Sequence, residues 1–224
     1  MSDSILDLRF DEFHDRYVPL IKARDYAAAE VLCRSYIEIA DQAGDAEAGA
    51  MFASFLSTAL SIVGRKAEAL EALEMAERYE PTVPRHKIHT ASYLNWVLAR
   101  PHDGLRKLEE GRQFLQTFGD KTDWHNEWGV AALAVGRESE AIKSMRALAD
   151  PDRLAIMRTY ISLHYQVDLR LVSKLVERGL ARAECIAYLE VAEAIGATNN
   201  EPRDEEPLKK VRDLLRRAQP GSAR

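Results

Sequence analysis

The stretch AMFASFLSTALSIVGRKAEALEALEMAERYEP, residues Ala50 to Pro81, decides the fold. It reads as two antiparallel helices folded over one turn at Gly64. The first is apolar and uncharged and stops at the glycine. The second is charged, carries Ala69, Leu70, Leu73 and Ala76 along one face, and stops before Pro81. A single hairpin of this kind leaves more apolar surface on its first helix than one partner can cover, so neighbouring hairpins are expected on either side.

Upstream, Ser4 to Lys22 carries Ile5, Leu8, Phe13, Tyr17, Leu20 and Ile21 at near-helical spacing, with Pro19 expected to kink or break the helix. Asp25 to Gln42 follows with Tyr26, Ala29, Cys33, Tyr36 and Ile37 on one stripe, and ends at Ala43-Gly44. Downstream, a third pair is expected over Arg85–Ala99 and His102–Thr117, turning at Arg100-Pro101. A fourth is expected over Asp123–Val135 and Glu138–Ala149, turning at Gly136-Arg137. Asp150-Pro151 then supplies an N-cap and a first helical position for a further helix. Gly44, Gly64, Gly119, Gly136, Gly179 and Gly196 fall just after expected helices, where a left-handed cap residue is wanted. Gly104, Gly111 and Gly129 lie inside helices, at a cost of about 1 kcal/mol each against alanine unless close packing requires them.

This pattern resembles the tetratricopeptide repeat family, in which small residues let paired helices touch and a proline follows the second. In the opening hairpin Leu56, Gly64, Ala69, Ala76 and Pro81 match the family pattern, with Leu60 and Leu73 in place of its aromatics and Ser57 in place of its small glycine. Gly129, Gly136 and Ala141 fall at the same places in the fourth pair, with Trp128 and Met145 as larger substitutes. The first pair retains Tyr26 and Ala29, and the third puts Gly104 and Gly111 where the family has alanines. Ala29, Ala69, Gly104 and Ala141 are spaced by 40, 35 and 37 residues, against a family period of about 34. The resemblance covers about Asp25 to Pro151. It implies an all-α solenoid of antiparallel helix-turn-helix repeats whose first helices line a concave, partner-binding groove.

Beyond Pro151, helices are expected at Asp152–Tyr165, Asp168–Arg178 and Ala181–Ile195, out of phase with the small residues and read as a degenerate fifth unit plus a capping helix. The domain expected is therefore residues 1–196, followed by a polar linker, 197–207, and a basic C-terminal helix and tail, 208–224, with Lys209, Lys210, Arg212, Arg216 and Arg217. Leu148 to Arg158 also resembles the first helices of winged-helix repressors. No glycine-rich wing or basic recognition helix follows, so DNA binding is not expected.

Hydrophobic residues at 46% and charged residues at 30% are those of a folded globular chain. A net charge of −5, with bases scattered among acids, speaks against nucleic acid as a partner. Cys33 and Cys185 are far apart and outside metal spacing, which fits buried thiols in a cytoplasmic protein. The N-terminal residues lack a signal peptide's apolar core. The longest uncharged run, Ala48 to Gly64, is interrupted by Gly49, Ser54, Ser57, Thr58 and Ser61 and falls short of the roughly 20 apolar residues of a membrane span.

In the third pair His89, Tyr93 and Trp96 lie at i, i+4 and i+7 with His86 at the edge of the same face. Neighbouring first helices add Ser54 and Thr58, and Asp123 and Asn126. Together these eight residues form the expected floor of a peptide-binding groove, with packing between adjacent units as the other reading of Tyr93 and Trp96. The expected function is a non-enzymatic adaptor or regulator that holds a peptide or helical segment of another protein, with no cofactor and no metal. The set of lysines and asparagines with which this family grips terminal carboxylates is missing. The alternatives are a ligand- or metal-sensing or enzymatic pocket around His86, His89 and Asp123, and a structural homo-oligomer. No phosphate-binding glycine loop, zinc-protease helix or nucleophile elbow is present in the sequence.

Overall fold

The computed structural model describes residues 5–160, 167–199 and 205–219, and every regular element among them is a helix. In order these are α1 (Ile5–Ala23), α2 (Tyr26–Ala43), α3 (Ala46–Ile62), α4 (Lys66–Tyr79), α5 (Pro84–Trp96), α6 (Pro101–Arg112), α7 (Phe118–Ala134), α8 (Glu138–Leu148), α9 (Pro151–Tyr160), α10 (Arg170–Arg178), α11 (Arg182–Asn199) and α12 (Glu205–Ala218). Among the described residues no helix is long and apolar enough to cross a membrane. The chain forms two compact units, Met1–Leu115 and Gln116–Arg224.

In the first unit each helix from α1 to α6 packs on the next, as in a helical repeat. The local signals act as expected. Asp25 and Asp45 cap α2 and α3 by accepting the N–H groups of Ala28 and Ala48 at 3.1 and 3.0 Å. Gly44 and Gly64 take left-handed backbone at φ 69° and 79°, and Pro84 and Pro101 open α5 and α6. The core of the unit begins in an aromatic cluster, where the Phe13 ring lies 4.8 Å from Phe52 and 5.2 Å from Tyr36. The Tyr17 hydroxyl donates to the carbonyl of Phe55 at 3.1 Å, tying α1 to α3. Pro19 does not break α1, which runs on to Ala23. Pro19 and Asp15, the residue whose carbonyl proline cannot donate to, are both exposed, which lowers the cost of leaving that carbonyl without a helical partner.

The boundary between α6 and α7 differs from the expected one. A reciprocal capping box, Thr117 Oγ1 accepting from Asp120 N–H at 3.0 Å and Asp120 accepting from Thr117 N–H at 3.3 Å, starts α7 at Phe118. Gly119 therefore sits in the first turn of α7 and is not a cap. Gly196 is likewise inside α11, where an added Cβ would meet Leu208 of α12 at 3.0 Å. The expected linker is correspondingly short of loop: α11 runs to Asn199 and α12 starts at Glu205, and residues 200–204 lie outside the described residues. So do 161–166, at the end of the helix expected over Asp152–Tyr165, and the tail after 219.

In the second unit α7 and α8 form the expected hairpin, but serial order ends there. Helix α10 packs on α7, α8, α11 and α12, and α11 packs on α8, α9, α10 and α12. Leu171, Leu175, Leu189, Val211 and Leu214 join Val130, Met145 and Leu148 in one core. Within this unit the tightest glycine contact is at Gly129, where an added Cβ would stand 2.5 Å from a methyl of fully buried Leu171. Gly129→Ala is therefore expected to cost about 1–3 kcal/mol by overpacking, despite the better helix former. At Gly119 an added Cβ meets only Thr117 Oγ1, at 3.8 Å. Gly119→Ala is expected to be neutral or stabilising by up to about 1 kcal/mol. Urea denaturation of both variants checks the pair.

Candidate functional site

The eight groove residues expected from the sequence sort by exposure. Thr58, His89, Trp96 and Asp123 are exposed, Ser54 is half-buried, and His86, Tyr93 and Asn126 are buried. Ser54 and Thr58 donate their hydroxyls to Ala50 O and Ser54 O at 3.0 and 3.2 Å, so their donors are used within α3. On α5, Tyr93 is 9% exposed and belongs to the core, whereas Trp96, three residues on, is 42% exposed. Arg85, His89 and Trp96 share the open stripe of that helix.

The two histidines have separate surroundings. His86 is buried, with Nε2 2.8 Å from Glu80 Oε2, joining the end of α4 to the start of α5; His89, one turn on, is exposed as a residue, yet burial of its ring, then the Arg85 and His86 charges, pulls its imidazole down to about 4. Asp123 belongs to the second unit. Among the described residues no group of three or more His, Cys, Asp and Glu side chains is arranged to hold a metal ion. Both cysteines are buried, and burial pushes each thiol up to about 12, far from the reactive thiolate range.

Two polar centres were not anticipated. In the first unit Glu77 of α4 is buried, and its Oε2 accepts from Lys107 of α6 at 3.1 Å and Lys87 of α5 at 3.5 Å. Burial alone would pull the Lys107 ammonium down. The hydrogen bond and charge of Glu77, with Glu110 and Glu74 nearby, outweigh it and hold Lys107 above the usual lysine range. One carboxylate thus ties three successive helices.

In the second unit Glu127 of α7, 1% exposed, pairs with Arg170 at 2.5 Å, and Arg170 Nε lies 3.0 Å from each oxygen of Asp168. Tyr188 of α11 donates to the Asp168 carbonyl at 3.1 Å. Asn126 is buried beside this network and donates to Thr122 O at 3.3 Å. Asp123 shares the helix face; although the residue as a whole is exposed, desolvation first and the Asp168 charge second raise its carboxyl, against the opposing pull of Arg170. The sequence signal for both centres is a carboxylate, Glu77 or Glu127, placed in phase with buried apolar residues of its own helix. Such a group needs a partner wherever it is buried.

A third feature of the second unit is an open cleft of about 480 Å³ lined by residues of α7, α8 and α9, including Phe118, Lys121, Arg153 and Ile156. No protein-family model matches the chain, and no curated protein matches it.

Glu77→Gln keeps the shape of the first centre and removes the charge shared by two lysines. It is expected to cost about 1–3 kcal/mol in urea denaturation, with a non-additive double mutant when combined with Lys107→Met. Asp123 gives a signed pH dependence. Its folded carboxyl keeps a proton to higher pH than the unfolded one, so its contribution to stability falls as pH rises from the ordinary carboxylate range through the raised one. Asp123→Asn is expected to raise the denaturation midpoint at neutral pH. That advantage should fade as pH drops below the carboxylate range, where both states are protonated.

Proposed function

We propose that the protein is a tetratricopeptide-like adaptor, working in the cytoplasm, that holds an extended or helical segment of another protein against the first helices of its hairpins. The observation that supports this most is Trp96, a large ring left 42% exposed at the end of α5. Tryptophan is the side chain most enriched among residues that dominate protein interfaces, because it buries much area and loses little rotamer freedom. His89 and Arg85 lie on the same stripe, and Ile62 and Thr58 are exposed on α3. Serial packing of α1 to α6 also supports the reading, since such arrays leave one stripe of each first helix open.

In this reading Tyr93 and His86 hold the fold, while Trp96 and His89 meet the partner. Trp96→Ala is expected to reduce partner capture in a quantitative pull-down by about tenfold or more, the loss typical of an interface anchor, with an unchanged helical circular dichroism spectrum and melting temperature. Tyr93→Ala is expected to lower stability by about 2–4 kcal/mol as a core truncation. A Trp96→Ala protein that captures the wild-type partner set undiminished would rule out the α5 stripe as the recognition surface.

A further inference from the structure

The cleft of the second unit has a floor of Phe118, Ala147 and Ile156, and Ile156 is 38% exposed. Its polar residues have unequal freedom. Asp150 is committed to capping α9, where its Oδ1 accepts the N–H groups of Asp152 and Arg153 at 3.1 and 3.2 Å. Arg153 is half-buried, its guanidinium carbon 5.2 Å from the centroid of the Phe118 ring and its Nη1 donating to Thr122 Oγ1 at 2.9 Å. Among the described residues no carboxylate lies within ion-pair distance of it, although Asp150 acts on it through space. Lys121 stands exposed at the rim, and Asp152 is exposed on the first turn of α9.

A guanidinium that has given up part of its water and gained only the through-space pull of Asp150, with no carboxylate in contact among the described residues, is a charge the fold compensates in part. Its ring contact covers one face and one N–H is used, which leaves donors for the bidentate carboxylate bond that arginine forms best. We propose that this cleft binds an acidic–apolar peptide segment of another protein. One Asp or Glu side chain of the segment meets Arg153 and Lys121, and an adjacent Leu- or Phe-type side chain lies on Phe118, Ala147 and Ile156. Asp152 repels a second carboxylate, so a segment with a single acid is preferred over a polyacidic one. A small free acid fits the cleft less well than a peptide lying across it. Ligands held alone are normally some 70–90% enclosed, and this cleft is open along its length. The residues are all in the second unit, so the cleft and the Trp96 stripe are tested independently.

The test is a titration of full-length, ¹⁵N-labelled protein followed by amide chemical shifts. The probe is the end-capped peptide acetyl-Gly-Leu-Glu-Phe-Gly-amide, compared with its Gln-for-Glu counterpart and with sodium acetate. The Glu peptide is expected to give saturable shifts at Phe118, Lys121, Arg153 and Ile156. The Gln peptide should bind about tenfold more weakly, the value of one charge-assisted hydrogen bond. Arg153→Gln should shrink the difference between the two peptides to the smaller part that Lys121 supplies. Lys121→Gln, at an exposed position where the fold is safe, should weaken the Glu peptide and leave the Gln peptide unchanged. Equal binding of the two peptides, shifts confined to other surfaces, no saturable shift up to millimolar peptide, or acetate reproducing the same shifts at the same concentration would each overturn the proposal.

Discussion

Helices in this chain come together where side chains are missing. Ala29, Ala69, Ala76 and Ala141 are fully buried, and Gly49, Gly104, Gly111 and Gly129 each receive a side chain of another helix. The Tyr79 ring lies on Gly49, Asn95 on Gly104, the Lys87 stem on Gly111 and Leu171 on Gly129. Interior packing is dense enough that a position one methyl larger moves its neighbours. These few small residues therefore set the interhelical distances, and the larger side chains take up the space that remains. The same constraint explains why charged stems are drawn inward. Lys87 lies along the glycine face of α6, and its ammonium can then reach Glu77.

Much of the fold was legible because its signals are local. Gly64 ends a helix, Asp25 and Asp45 start them, and Ala69, Leu73 and Ala76 mark a buried face; each depends on a few neighbouring residues. Where the signals competed, reading them one at a time misplaced the ends. Gly119 looked like a cap because glycines usually are, yet the pair Thr117 and Asp120 starts a helix two residues earlier. Pro19 looked like a breaker, but the cost of a missing N–H depends on whether the orphaned carbonyl can reach water.

Recognition residues were harder to read, and α5 shows why. Tyr93 and Trp96 are three positions apart, about 60° around a helix. A stripe read from spacing holds both, but the edge of the core runs between them, leaving one ring packed and the other 42% exposed. Only the neighbouring helices decide where that edge falls. The second unit adds a larger reason. Its sequence continues the hairpin pattern through α8, and then α10 packs against four helices, none of which is its partner by simple succession except α11. Contacts of that kind leave no periodic mark, which is why the phase of small residues fades after Pro151.

Charges inside the two units follow one rule, and the rule separates scaffold from surface. Glu77 takes two lysines, Glu127 takes Arg170, and Arg170 in turn holds Asp168, so both of these buried carboxylates have a cation and each centre joins separate helices. Such pairs add little net stability over apolar residues of the same volume, but removing one member leaves the other stranded, so they favour one register of packing over its alternatives. Arg153 departs from this rule. It is drawn against Phe118 by its ring contact and held by Thr122, while Asp150, which acts on it through space, is engaged in capping α9. Among the described residues no carboxylate pairs with this half-buried cation, and solvent or another molecule can supply a partner. The cleft beside Arg153 has the room and the apolar floor for the latter.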